Sequence, residues 1–89
     1  MTVEIIKFWA TWCIPCKKYK PVLDSVVESR DDVTLTEVDV DADKETAAKY
    51  GVQGVPYTVF KKGGKILGGF NGLRTPREIH RLIDSFEDS

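Results

Sequence analysis

The chain's only two cysteines stand in Trp12-Cys13-Ile14-Pro15-Cys16-Lys17, between the apolar segment Val3 to Trp9 and a stretch with helical periodicity. A strand that hands its end directly to a helix, with a cysteine on the junction, is a demanding local arrangement. Two intervening residues let both sulfurs meet in one helical turn, with Cys13 at the helix start and Cys16 one turn inside. A thiolate at Cys13 would face unpaired backbone N–H groups and the positive end of the helix dipole, conditions that lower a cysteine pKa from about 8.5 toward neutrality. Cys13 is therefore expected to be the attacking sulfur and Cys16 the resolving one. No cofactor is expected beyond that reversible Cys13–Cys16 disulfide.

Three plainer readings compete with a redox centre. A purely structural disulfide gains little, because so short a loop removes almost no chain entropy from the unfolded state. Half a zinc site needs two more ligands and the chain offers only His80, so no metal is expected without a second copy. Two inert buried thiols fit poorly beside Pro15 and Lys17. A Cys-x-x-Cys at a strand-to-helix junction favours redox chemistry over all three.

With 89 residues the chain is expected to form a single domain, 1–89, without room for a linker or a second unit. Thirteen Lys and Arg against fourteen Asp and Glu leave no electrostatic case for nucleic acid or an anionic membrane as partner. No basic region followed by a long apolar run opens the sequence, and no apolar run approaches membrane length. The expectation is a cytoplasmic protein, in a compartment where thiols stay reduced and a disulfide is transient or catalytic.

Patterning along the chain alternates strands and helices. Val3 to Phe8 is apolar on both faces except at Glu4 and Lys7, as a central strand covered on each side requires. Cys13 to about Ser29 is expected to be helical, with Tyr19, Val22, Leu23, Val26 and Val27 on one stripe and a kink at Pro21. Val33 to Val40 is the second strand. Asp43 then caps a short helix running to Tyr50 and ended by Gly51. Tyr57 to Lys61 and Lys65 to Phe70 bracket Lys62-Gly63-Gly64, a hairpin with glycines where positive φ is needed. Thr75-Pro76-Arg77-Glu78 reads as a capping box opening a last helix with Ile79, Leu82, Ile83 and Phe86 on its apolar face. The order βαβαββα gives an α/β fold, a four-stranded mixed sheet with helices on both faces. Trp9 and Tyr50 are expected in the core, and His80 solvated and chemically idle.

Phe8-Trp9-Ala10-Thr11-Trp12-Cys13-Ile14-Pro15-Cys16-Lys17, then Lys49-Tyr50-Gly51-Val52 and Gly54-Val55-Pro56, closely resemble the thioredoxin family in order and spacing, over nearly the whole chain. The resemblance implies a thioredoxin-like fold and reduction of protein disulfides: Cys13 attacks, a mixed disulfide forms, and Cys16 resolves it. It also implies that Trp12 flanks the reactive sulfur, that Val55 and a cis Pro56 form the loop facing it, and that Gly72 lies where a substrate backbone approaches. An extended substrate segment could pair with the backbone of Val55. Disulfide-containing proteins are the implied substrates, and a thioredoxin reductase or glutathione the implied electron donor.

Three departures from the family shape further expectations. The family's opening strand and helix have no counterpart, which makes the chain a minimal, glutaredoxin-sized version and leaves Val33–Val40 at a sheet edge. A mostly monomeric protein with weak self-association through that edge is expected. Where thioredoxins carry a buried acid behind the second cysteine this sequence has Lys7, and Glu37 stands in the place of a nearby lysine. A charge-reversed pair is expected, able to take the proton from Cys16. Ile14, between the sulfurs where glycine is common, adds apolar surface and stiffness, and with Pro15 belongs to the substrate-binding set.

Two other classes remain open. Ile66-Leu67-Gly68-Gly69-Phe70-Asn71-Gly72-Leu73 resembles the glutathione-holding segment of glutaredoxins, against which stand Trp12 and the Ile14-Pro15 order; Gly68-Gly69 could equally mark a strand bulge or close helix packing. The apolar patch of Trp12, Ile14, Val55 and Tyr57 would also suit a binding scaffold with incidental cysteines. Asp39-Val40-Asp41-Ala42-Asp43 spaces acids like a calcium loop, but Lys44 and Tyr50 occupy the positions of its turn glycine and closing glutamate. These acids are expected to end a strand and cap the next helix.

Overall fold

The structure, a computed structural model, describes residues 2–87; the expected domain limits, 1 and 89, lie outside the described residues. Strands β1 (Val3–Trp9), β2 (Val33–Asp39), β3 (Tyr57–Lys62) and β4 (Lys65–Asn71) and helices α1 (Ile14–Glu28), α2 (Lys44–Lys49) and α3 (Pro76–Glu87) follow in βαβαββα order. The sheet order is β2-β1-β3-β4. β1 pairs parallel with β2 and antiparallel with β3, and β3 pairs antiparallel with β4. β1 is thus central, as its two apolar faces require, and β2 is an edge. That strand closes at Asp39, one residue before the expected Val40, whose amide still donates to the Trp9 carbonyl at 2.9 Å.

Alternation along β1 divides the core. Val3 and Ile5 pack with Phe60 against Tyr19, Leu23 and Val26 of α1 and Ile79 and Ile83 of α3, all of them buried. Each such side chain withdrawn from water contributes about 1.5–3 kcal/mol. Ile6 and Phe8 face the other way, with Val38, Val59 and Ala47 of α2. Since α2 has six residues, tyrosines complete this second cover. The Tyr50 and Tyr57 rings lie 5.5 and 6.1 Å from that of Phe8, and Lys61 donates to the Tyr50 hydroxyl at 2.8 Å.

Local signals explain the element ends. Gly63 and Gly64 turn the hairpin with φ of 57° and 81°, values that L side chains rarely adopt. Asp43 accepts from the Thr46 amide at 3.1 Å to open α2. At α3 the Thr75 hydroxyl accepts from the Glu78 amide at 3.2 Å, and the Glu78 carboxylate accepts from the Thr75 amide at 3.1 Å, a closed capping box. Pro21 sits inside α1 without ending it. In β4 the pairing slips so that Phe60 faces Gly68 while Lys61 faces Ile66, leaving Leu67 as an extra, bulged residue.

The end of the sheet away from the cysteines is tied by Arg30. Its guanidinium bonds Asp32 at 2.8 Å and Asp84 at 2.7 Å, and Glu87 lies 3.9 Å away. The hydrogen bonds from Arg30 hold the Asp32 carboxyl well below the usual carboxylate range, and the neighbouring Asp32 pushes Glu87 up. His80 belongs here too, half-buried with Nδ1 3.1 Å from Arg30 Nη1. It is therefore not the solvated, isolated ring expected from its position on the last helix, because α3 turns it toward the loop before β2.

Candidate active site

β1 ends at Trp9, and the chain turns tightly so that the Cys13 amide donates to the Ala10 carbonyl at 3.1 Å. Cys13 then caps α1 with extended backbone (φ −89°, ψ 102°) rather than being its first helical residue. Its Sγ accepts from the Cys16 amide at 3.2 Å, which gives the sulfur the place a serine or aspartate oxygen takes in other caps. Pro15 costs nothing in the first turn, where no amide is needed. Cys13 and Cys16 form a disulfide with Cα atoms 5.3 Å apart. Both are buried with Ala10, and Trp9, Val40 and Val55 pack around them. Trp9, expected in the core, is half-buried at this boundary.

The remaining expected residues gather around this turn. Trp12 is 66% exposed and Ile14 65% exposed. Trp12 shares the wall of a cavity of about 140 Å³ with Val40, Val52, Gln53, Gly54 and Val55. The Val55–Pro56 peptide is cis, with Pro56 buried and Val55 half-buried against the cysteines. The Gly72 amide donates to the Pro56 carbonyl at 2.9 Å, and its φ of 83° makes glycine the residue that fits there. Tyr57, one of the residues expected in an exposed patch, instead lies half-buried on Phe8.

Lys7 and Glu37 are register partners on β1 and β2, but their side chains part. Lys7 is 2% exposed, and its Nζ donates to the Cys16 carbonyl at 3.3 Å and lies 6.0 Å from the Tyr19 ring centre. Burial lowers its pKa below the usual lysine value while Glu37 acts in the opposite direction. Glu37 bonds Lys20 at 3.1 Å, and Lys20 also reaches Asp24 at 3.3 Å. The expected direct pair gives way to this exposed bridge because α1 offers Glu37 a cation that need not be desolvated. Lys7, Trp9, Cys16, Lys17, Lys20 and Glu37 line a cavity of about 250 Å³.

Two neighbours were not singled out from the sequence. The Trp12 indole N–H donates to Asp41 at 2.7 Å, and Asn71 donates to the Gly54 carbonyl at 3.2 Å, tying β4 to the loop before Pro56. A signal for Asp41 did exist: acids at the end of a strand parallel to β1 must land beside the turn that follows β1. Its neighbours serve as expected, Asp39 accepting from the Asp41 amide at 2.9 Å and Asp43 capping α2. Among the described residues no group of three or more His, Cys, Asp or Glu side chains could hold a metal ion. No described helix is long and apolar enough to cross a membrane.

A dithiol that closes across the first turn of a helix, its leading sulfur on the helix cap, defines a thiol–disulfide oxidoreductase on this fold. The sequence profile of the family described as Thioredoxin matches residues 2–85. The thioredoxin of Listeria monocytogenes is 35% identical over 80 residues, spanning 89% of this chain and 78% of its own length. Among solved structures, a single-site mutant of the thioredoxin from Halobacterium salinarum superposes with a TM-score of 0.88 at 34% identity, covering 93% of this chain and 73% of its own. The oxidised mitochondrial thioredoxin 3 of Saccharomyces cerevisiae gives 0.85 at 31%, covering 93% and 77%. The chain belongs to the thioredoxin family, and it carries out thioredoxin-type disulfide reduction through Cys13 and Cys16.

Proposed function

We propose that this protein reduces disulfides of other proteins in the cytoplasm and is recharged by a thioredoxin reductase. The observation that carries the reading is the Cys13 sulfur on the helix cap, accepting from the Cys16 amide at 3.2 Å, where negative charge is stabilised. In the reduced protein the Cys13 thiolate attacks one sulfur of the substrate disulfide and the other leaves as a thiolate. Cys16 then attacks Cys13 Sγ, the Cys13–substrate bond breaks, and the second substrate sulfur departs. Two electrons have passed from the dithiol to the substrate, and Cys13–Cys16 is the disulfide that the donor must reduce.

The substrate chain lies across Trp12, Ile14 and Pro15 on one side of the sulfurs and Val55, Pro56 and Gly72 on the other. Two large apolar side chains left in water beside a nucleophile, 66% and 65% exposed, are what a protein substrate would cover. Gly72 keeps the far wall low, since a Cβ built there meets nothing within 4 Å.

The test is dithiothreitol-driven reduction of insulin disulfides by wild type and Cys16→Ser. Turnover well above background that is lost in the mutant is expected. Background rates from folded wild type would overturn the reading and favour a binding scaffold, for which a Cys13→Ser, Cys16→Ser double mutant keeps its biological function. Recharging supported by glutathione and glutathione reductase, but by no thioredoxin reductase, would assign the donor to the glutathione system instead.

A further inference from the structure

Among the described residues Lys7 is the one cation buried beside the redox centre, and the exchange of two sulfurs makes no use of it. The residue is 2% exposed, and its amine is fixed beneath α1 by the Cys16 carbonyl at 3.3 Å. The Glu37 carboxylate that could have neutralised it is bound to Lys20, so the ammonium stays uncompensated at contact range. We propose that Lys7 is a positioning residue for the resolving step: its ammonium stabilises the Cys16 thiolate that attacks Cys13, and the adjoining cavity is the path by which the thiol proton reaches solvent. The proposal rests on Cys16 being the resolving cysteine.

The charged surroundings of Cys16 support this assignment. β1 contributes Lys7, β2 contributes Glu37, and α1 contributes Lys17 and Lys20 to the cavity wall that Cys16 shares. Asp24, one turn further along α1, is occupied by Lys20. From β3 the register partner of Lys7 is Thr58, which is uncharged, and burial pushes the Tyr19 phenol up and keeps it neutral. Val40 and Val55, packed on the cysteines, carry no charge. The cations other than Lys7 are exposed and screened by water, whereas Lys7 is almost wholly buried, where attraction between opposite charges is screened least. Burial alone works against the ammonium, and a thiolate forming beside it restores the charge.

The step balances as an ordinary exchange. The Cys16 thiol gives its proton to water in the cavity. The resulting thiolate attacks Cys13 Sγ, the Cys13–Cys16 bond forms, the Cys13–substrate bond breaks, and the substrate sulfur leaves as a thiolate that takes a proton from solvent. Lys7 supplies charge and position and is itself unchanged.

The experiment is the pH profile of substrate release from a preformed Cys13 mixed disulfide, followed by rapid mixing, in wild type and Lys7→Met. The expected result is a profile displaced upward by about one pH unit, the lower end of the effect of a nearby opposite charge. Release at pH 7 then slows about tenfold and recovers to within about twofold at high pH, where Cys16 ionises unaided. Attack of Cys13 on a small disulfide stays unchanged. An unmoved profile, or uniform slowing at every pH, overturns the proposal, the latter marking Lys7 as a packing residue only. If Lys7→Met does not fold, NMR titration of the Lys7 side chain in the wild type decides, because coupling between two charges is reciprocal. Lys7 should hold its proton to higher pH in reduced than in oxidised protein, and identical titrations overturn the proposal. Full insulin turnover by Cys16→Ser would instead remove the resolving role on which the proposal rests.

Discussion

Gly68 and Gly69 are adjacent in β4, yet replacing each by alanine should have unequal consequences. A Cβ at Gly69 would stand 2.7 Å from the backbone carbonyl of Thr58 and 3.1 Å from the Tyr57 hydroxyl. The carbonyl belongs to the neighbouring strand and cannot withdraw without disturbing the ladder in which Gly69 faces Val59. Overpacking of this kind costs about 1–3 kcal/mol, offset by about 0.5–1 kcal/mol because alanine loses less chain entropy than glycine in a strand. A net loss of roughly 1–2 kcal/mol corresponds to a fall of about 5–15 °C in Tm for a domain of this size. A Cβ at Gly68 points to the other face and meets Phe86 Cζ at 3.1 Å, the far end of a half-buried ring in the last turn of α3. That ring can swing by a few tenths of an ångström, so Gly68→Ala should stay within about 0.5 kcal/mol of wild type. Thermal unfolding of the reduced proteins, followed by circular dichroism, makes the comparison. Equal Tm values for the two variants would refute the reasoning, since the only difference invoked is backbone against side chain as the neighbour.

Two further outcomes follow from polar contacts. Asp41→Ala removes the acceptor of the Trp12 indole, 2.7 Å away, and should raise KM for a protein disulfide roughly three- to tenfold with kcat nearly unchanged; an unaltered KM would show that the ring needs no anchor. Arg30→Met should flatten the acid limb of stability. Asp32 has a depressed folded-state pKa, so its stabilisation is present above the unfolded value and lost as pH falls below about 4. Glu87, raised by Asp32, acts in the opposite sense: its contribution is present below its unfolded value and fades as pH rises through the folded one. Urea midpoints measured from pH 2 to 7 should therefore converge toward acid, the variant being less stable near neutrality. Parallel curves would count against the Arg30 cluster.

Most of the fold could be read from local chemistry. Thr75 and Glu78, Asp43 and the Gly63-Gly64 turn each act within four residues of themselves, so their signals survive in the linear chain. The apolar faces of β1 announced a central strand in the same way. The cysteine turn was legible for the same reason, because cap, sulfur and helix are contiguous. Side-chain partners drawn from distant elements left no such trace. Lys20 and Glu37 are seventeen residues apart, Trp12 and Asp41 twenty-nine, and Arg30 and His80 fifty. Same-face alternation correctly grouped Lys7 with the buried side of β1, but only the placement of α1 could show that Lys20 would take its expected partner. Gly68 illustrates an intermediate case, where a bulge and close helix packing were both foreseeable and both occur, one residue apart.

The Arg30 cluster and the cysteine turn sit at opposite ends of β1, a strand of seven residues. At about 3.3 Å per residue the two ends are separated by roughly 20 Å. Screening at physiological ionic strength reaches about 8 Å, so charges gained or lost at one end are scarcely felt at the other. The molecule is in effect bipolar: one pole governs how it withstands acid, the other how readily its sulfurs exchange. Substitutions that adapt it to a harsher medium can accumulate around Arg30 while the chemistry at Cys13 stays as it was.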